Sequence, residues 1–307
     1  MTLAVLLSGQ GGQHPGMFDL TADWPAAAPV FAAAERILGS DARKLVRAPG
    51  ADLHGNRTGQ ILCCVAALAG WTVVEAARPA RVIVAGYSIG DLAAWGCAGR
   101  FDAETILRLA AIRAEAMDAA GGAGAGLAGI RGLPLAAVET LAGRHGCHLA
   151  IRNASDSGVV GGPSPALEQL CEDARAAGAA KAVILAVRTP SHTPLLREAS
   201  QSFENALAEE QLQRPARAAP RLISGLDGDP VFDGRAGLVK LARQISQTID
   251  WAACLEACQE YGSDTVLELG PGHALATMAR DAIPGARIHA LDEFRSAAGV
   301  VDWLKAS

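Results

Sequence analysis

The sequence predicts an α/β fold in which a small β-α-β-β-α-β unit is inserted into a larger unit built on a parallel sheet. Three observations carry this. Short apolar runs such as Leu3–Leu7 and Arg81–Ala85 alternate with longer segments of helical periodicity. A glycine-rich stretch, Gly121–Gly126, marks a change of pattern in mid-chain, and the alternation resumes after Arg188. Half the residues are apolar, with few aromatics, as suits helices packed on buried parallel strands. The predicted division is 1–125 with 189–307 for the large unit and 126–188 for the insert.

The elements follow in order. Leu3–Leu7 reads as a buried strand that runs into the loop Ser8–Gln13, and helical patterns occupy Ala26–Leu38 and Thr58–Ala77. Arg81–Ala85 is a second strand, Asp91–Cys97 a helix, and Asp102 caps the helix after it. In the insert, strands fall at Leu127–Arg131, Cys147–Asn153, Gly158–Gly161 and Ala182–Val187, with helices at Pro134–His145 and Pro165–Gly178. This order is the split-βαβ, or ferredoxin-like, plan over about 60 residues. Leu222–Gly225, Thr265–Leu269 and Ile288–Leu291 complete the strands of the large unit.

A net charge of −5 gives no global attraction to nucleic acid or to anionic membranes. No run reaches the roughly 18 uninterrupted apolar residues of a membrane span, and Met1–Gln13 lacks the basic start of a signal peptide. The expected location is the cytoplasm. Of seven cysteines, Cys63 and Cys64 are adjacent and Cys254 and Cys258 are one helical turn apart. Without a C-x-x-C pair they read as free buried thiols, and neither metal nor cofactor is expected.

Gly86-Tyr87-Ser88-Ile89-Gly90 fits G-x-S-x-G between a strand and a helix. A sharp turn there presents the serine hydroxyl at a helix N-terminus, where backbone N–H groups favour negative charge. Acyl transfer also needs a base and donors for the oxyanion. His14 and His54 lie in loops, His145 and His148 in the insert, His273 after Gly270-Pro271-Gly272, and His289 on the last strand. His192 sits in Thr189–Pro194, where the insert returns to the large unit and two prolines stiffen the loop. It reads either as a base or as a capping histidine. The loop Gly9–Gln13 lies at the carboxyl edge of the sheet and could supply one oxyanion donor, with Ile89 N–H the second. Arg113 falls on an apolar helix face with Leu109 and Ala110, which calls for a partner, structural or substrate.

Taken in order, these residues resemble the malonyl-CoA:acyl-carrier-protein transacylase family over nearly the whole chain. The motifs are G-Q-G-x-Q at Gly9–Gln13 with Pro15–Met17, the Ser88 pentapeptide, Arg113, Asn153, P-S-H at Pro190–His192, and E-L-G-P-G at Glu268–Gly272. The resemblance implies an α/β-hydrolase-like large domain with a ferredoxin-like insert. It implies Ser88 as acylated nucleophile, His192 as base, the Gln10 and Ile89 amides as oxyanion hole, and Asn153 and Ser191 lining the pocket. Arg113 would clamp the malonyl carboxylate, a planar bidentate pairing that selects malonyl over acetyl. Implied partners are malonyl-CoA and an acyl carrier protein that brings its own prosthetic-group thiol.

Tyr87 stands where the family usually has His, Asp91 where it has Glu, Ser8 where Pro is common and Gly12 where Ser is common. Asp250 occupies the expected position of a Gln or Asn whose main-chain carbonyl orients the histidine. Its backbone could keep that role, or its carboxylate could complete a triad. Ser8, Tyr87 and the run Trp95–Gly99 look most like the epsilon subunit of bacterial malonate decarboxylase, which would add the other decarboxylase subunits as partners. Fatty-acid synthesis is the alternative setting. Two further readings compete: a serine hydrolase or thioesterase with a late base, His273 or His289, and a subunit that only docks a partner.

Overall fold

Leu3–Leu7 shows how the sequence sets the architecture. Leu3, Val5 and Leu7 face one layer of the core, while Ala4 and Leu6 face another, so both sides of the strand are buried. In the computed structural model, which describes residues 1–121 and 124–306, the chain forms two five-stranded sheets among many helices. β1 (Thr2–Leu7) leads through α1 (Ala28–Leu38), α2 (Ala42–Leu45) and α3 (Asn56–Glu75) to β2 (Arg81–Gly86). There follow α4 (Ile89–Cys97), α5 (Ala103–Gly121), β3 (Ala125–Arg131), α6 (Leu135–Arg144), β4 (His148–Ala154), β5 (Ser157–Pro163), α7 (Ser164–Ala176) and β6 (Lys181–Ile184). The last part comprises α8 (Arg197–Ala208), β7 (Arg221–Leu222), α9 (Gly234–Arg243), β8 (Ile249–Asp250), α10 (Trp251–Glu260), β9 (Thr265–Leu269), α11 (Ala274–Ala282), β10 (Arg287–Ala290) and α12 (Ala297–Lys305).

The first sheet has the order β10-β9-β1-β2-β7, every neighbour parallel. Leu7 is in register with both Gly86 and Leu269. The loops that leave these three strands therefore emerge side by side at one edge, where parallel sheets place their ligands. α3, 20 residues long and apolar enough to cross a membrane, is instead packed within the core over this sheet.

The second sheet has the order β6-β3-β5-β4-β8; its first four strands are antiparallel and β8 joins β4 in parallel. β8 was not expected from the sequence: two residues carry no periodicity. It ties this sheet to the later part of the chain. The strand expected at Leu222–Gly225 stops at Leu222, because Ile223 bridges Pro230 and the Gly225 amide turns to the Asp91 carboxylate. Asp102 caps α5 through a bond from Thr105 N–H, 2.8 Å. Of the glycine-rich junction, Gly121 ends α5 and Gly124 has a positive φ, while residues 122 and 123 lie outside the described residues.

Candidate active site

β2 ends at Gly86, and the chain turns at Ser88, with φ +57° and ψ −119°, into α4. A Cβ on Gly86 would overlap the Gly90–Asp91 backbone, and one on Gly90 the Leu7 carbonyl, so the turn demands glycine at both places. Among the described residues, the non-glycine positions with positive φ are Ser88 and His192. Backbone strain of this kind costs about 1–3 kcal/mol per residue and gathers at functional sites.

His192 is 1% exposed, and its Nε2 lies 2.8 Å from Ser88 Oγ. Its Nδ1 meets the main-chain oxygen of Gln244, and its backbone N–H donates to Ile245 O at 2.8 Å. A carbonyl can only accept, so Nδ1 carries the ring proton and Nε2 offers its lone pair to the Ser88 hydroxyl. Both carbonyls close the C-terminal end of α9, where unpaired carbonyls and the helix dipole favour the cation formed when the ring takes a proton.

Burial, reinforced by the Arg113 charge and opposed by the Gln244 bond, lowers the His192 pKa to about 3. The ring is thus neutral, and competent as a base, well below the ordinary histidine range. Acylation of the protein is expected to hold level as pH falls from 7 to about 5, instead of declining through 6.5. Arg113→Met removes the nearby positive charge and should move the acid limb to higher pH. A single-turnover series against pH checks both, and a decline of the parent through 6.5 would contradict them.

Asp250 does not orient the histidine, contrary to expectation. Its carboxylate caps α10, accepting Ala253 N–H at 3.1 Å, and its own N–H donates to Leu226 O. Gln244, six positions earlier in the chain, supplies the carbonyl. Asp250→Ala should therefore cost about 1 kcal/mol of stability, as a lost helix cap, and leave acylation unchanged. Thermal melts beside a rate assay decide; a large rate loss would restore Asp250 to the site.

Arg113 is 1% exposed. Its Nη1 donates to Gln60 Oε1 at 2.6 Å, but its Nη2 is buried without a partner. No carboxylate lies within ion-pair distance of it among the described residues, so the structural partner allowed by the sequence is an amide instead. Gln60 is held in turn: its Nε2 donates to Asn56 Oδ1 at 2.7 Å, and Asn56 donates to Asp118 at 2.8 Å. Burial lowers the Arg113 pKa to about 10, with Cys64 and Asp91 opposing, so the guanidinium stays charged near neutrality. Half of its fork is fixed by Gln60, and the other half is left without a partner.

The Gly9–Gln13 loop packs on the serine turn. A Cβ on Gly9 would lie 3.0 Å from Tyr87 O and 3.5 Å from Ser88 Cβ. Gln13 braces it, accepting Gly11 N–H at 2.5 Å and donating to Leu53 O at 3.1 Å. Ser8 donates to buried Glu268 at 2.7 Å, whose other oxygen accepts Ala276 N–H, so the E-L-G-P-G turn anchors the same loop. Gly9 thereby packs beside Ser88 with Gln10 next along the loop, and Ile89 N–H, the first of α4, has no intrahelical acceptor.

Tyr87 O–H donates to Asn153 Oδ1 at 3.2 Å, and its ring meets Trp251 edge-on at 5.3 Å, so Asn153 reaches the serine turn from the second sheet. Ser191 is buried with its hydroxyl directed at Thr189 O, 3.4 Å away in its own loop. His289 pairs with Glu293 and packs on Phe294 and Trp303, and His273 begins α11. Neither is the histidine at Ser88. Gln60 and Gln244 were missed from the sequence; the signal for Gln60 was an amide at the head of the apolar run Ile61–Trp71.

Residues 5–284 match the acyl transferase domain family. The malonyl CoA-acyl carrier protein transacylase of Escherichia coli (strain K12) is 29% identical over 298 residues, 94% of this chain and 96% of that protein. The crystal structure of an acyl-carrier-protein S-malonyltransferase from Burkholderia pseudomallei 1710b is similar with a TM-score of 0.90 at 28% identity, covering 98% of this chain and 100% of that one. A malonyl-transacylase in complex with a type II PKS acyl-carrier protein has a TM-score of 0.91 at 26% identity, covering 98% and 99%. The family match starts inside β1 and runs past α11, so it takes in the second sheet, the first sheet short of β10, and every group gathered around Ser88: the chain belongs to the acyl transferase domain family.

Proposed function

We propose that this protein is a malonyl-CoA:[acyl-carrier-protein] S-malonyltransferase working by a ping-pong Ser88–His192 mechanism. The observation that carries the proposal is the open half of the buried Arg113 guanidinium, whose charge is felt by the histidine bonded to Ser88. A generic esterase pocket has little use for it, whereas a substrate with a free carboxylate completes the fork.

Ser88 gives its proton to His192 Nε2 as Oγ attacks the thioester carbonyl. The Gln10 and Ile89 amides receive the oxyanion, and the C–S bond breaks as His192 returns the proton to the departing CoA sulfur. In the second half the carrier thiol gives its proton to His192, its sulfur attacks the malonyl ester, and Ser88 leaves with that proton. Arg113 holds the malonyl carboxylate throughout, while Asn153 and Ser191 belong to the pocket wall.

The first sheet with its helices is read as an α/β-hydrolase-like catalytic domain, residues 1–125 and 189–307, and residues 126–188 as a ferredoxin-like insert. The antiparallel order β6-β3-β5-β4 supports the latter. Initial rates varied in malonyl-CoA and carrier should give parallel lines; intersecting lines would exclude an acyl-enzyme of this kind. The narrower assignment to malonate decarboxylase rests on Ser8, Tyr87 and Trp95–Gly99. Faster loading of a decarboxylase carrier than of a fatty-acid carrier supports it, and the reverse preference places the enzyme in fatty-acid synthesis.

A further inference from the structure

α4 carries Ser88 at its N-terminus, and Asp91 lies one turn along the same helix. Asp91 is 1% exposed and faces the end of α9: its Oδ2 accepts Gln244 Nε2–H at 2.6 Å and Gly225 N–H at 3.1 Å. Gln244 is the residue whose main-chain oxygen receives His192 Nδ1–H. One residue therefore meets the acid with its side chain and the histidine with its backbone. Asp91 Oδ1 and Gln244 Oε1 are buried without partners, so apart from the Gly225 N–H bond to Asp91 the two side chains hold each other.

We propose that Asp91 is a positioning residue for acyl transfer, clamping the helix that presents Ser88 to the carbonyl that orients His192 through the side chain of Gln244. The Ser88–His192 distance spans two elements far apart in sequence, and this bond is the buried polar tie between them. A displacement of about 1 Å between reacting groups is enough for a 10²-fold loss of rate. Burial raises the Asp91 pKa to about 8, against the Gly225 bond and the Arg113 charge, while Asp227 adds to the rise. Near neutrality the side chain acts chiefly as a neutral acid, and asparagine offers the same acceptor oxygen.

The inference rests on the Ser88–His192 reading of the site. The test is single-turnover acylation of the full chain by labelled malonyl-CoA. Asp91→Ala and Gln244→Leu, which keeps the main-chain carbonyl, are each expected to lower the acylation rate about 10- to 100-fold, with KM for malonyl-CoA within about twofold. The double variant should be little slower than the worse single one, because both break one contact. Asp91→Asn should recover to within about fivefold of the parent and guards against misfolding of the alanine variant. The His192 Nδ1–H proton resonance, identified by its loss in His192→Gln, should shift or broaden in Asp91→Ala and Gln244→Leu. A merely structural acid would lower the melting temperature and leave that resonance and the rate alone. Rates within about twofold of the parent in folded variants, or losses that multiply in the double variant, overturn the proposal. A parent that forms no Ser88 adduct rejects the proposed function itself.

Discussion

Ser88→Ala is expected to lower malonyl transfer by about four orders of magnitude, and His192→Ala by about three, with the double variant no slower than the serine variant alone. In the proposed mechanism the two groups act as one unit. Without Oγ there is nothing for the base to activate, and without the 2.8 Å bond to Nε2 the hydroxyl holds its proton at neutral pH. The residual rate would come from the proposed oxyanion donors, main-chain amides of the Gly9–Gln13 loop and α4 that both changes leave in place. Losses that multiply would mean that His192 serves some purpose other than activating Ser88.

Arg113→Ala is the second large effect. Transition-state stabilisation for malonyl should fall by about 2–4 kcal/mol in kcat/KM, while acetyl transfer changes little or rises. The carboxylate would enter a buried pocket with no cation to meet it, and an acetyl group makes no such demand. Gln60→Leu should act in the same direction but more weakly, because it frees one half of the guanidinium and leaves the charge. Stability gives an independent reading. A buried, half-bonded guanidinium burdens the free protein, so Arg113→Met is expected to raise the melting temperature while destroying malonyl selectivity. Equal rate losses for both acyl groups together with a lower melting temperature would make Arg113 a structural residue.

What was legible in the sequence depended on how each residue acts. Ser88 could be read because the turn that presents it needs glycine at two fixed offsets, each against a backbone that a Cβ would strike. Arg113 could be read because a cation on an apolar helix face asks for an explanation. Apart from the two-residue β8, the strands of both sheets could be read from apolar runs, and the errors lie at their ends, where Ile223 bridges Pro230 and the Gly225 amide turns to a carboxylate. The histidine's support was misplaced to Asp250 because a main-chain carbonyl has no side-chain signature. An acid before a helix looks the same whether it orients a base or, as here, caps the helix. Asp91 stood out only as a departure from a family pattern, since its partner Gln244 is 153 positions away.

The central claim is that malonyl is carried on the hydroxyl of Ser88. Rapid mixing with malonyl-CoA, acid quench and peptide mass mapping tests it most directly. The expected result is a malonyl adduct confined to the peptide containing Ser88, discharged when the carrier thiol is added. Turnover that proceeds with the adduct on another residue, or with no adduct during burst conditions, would contradict it.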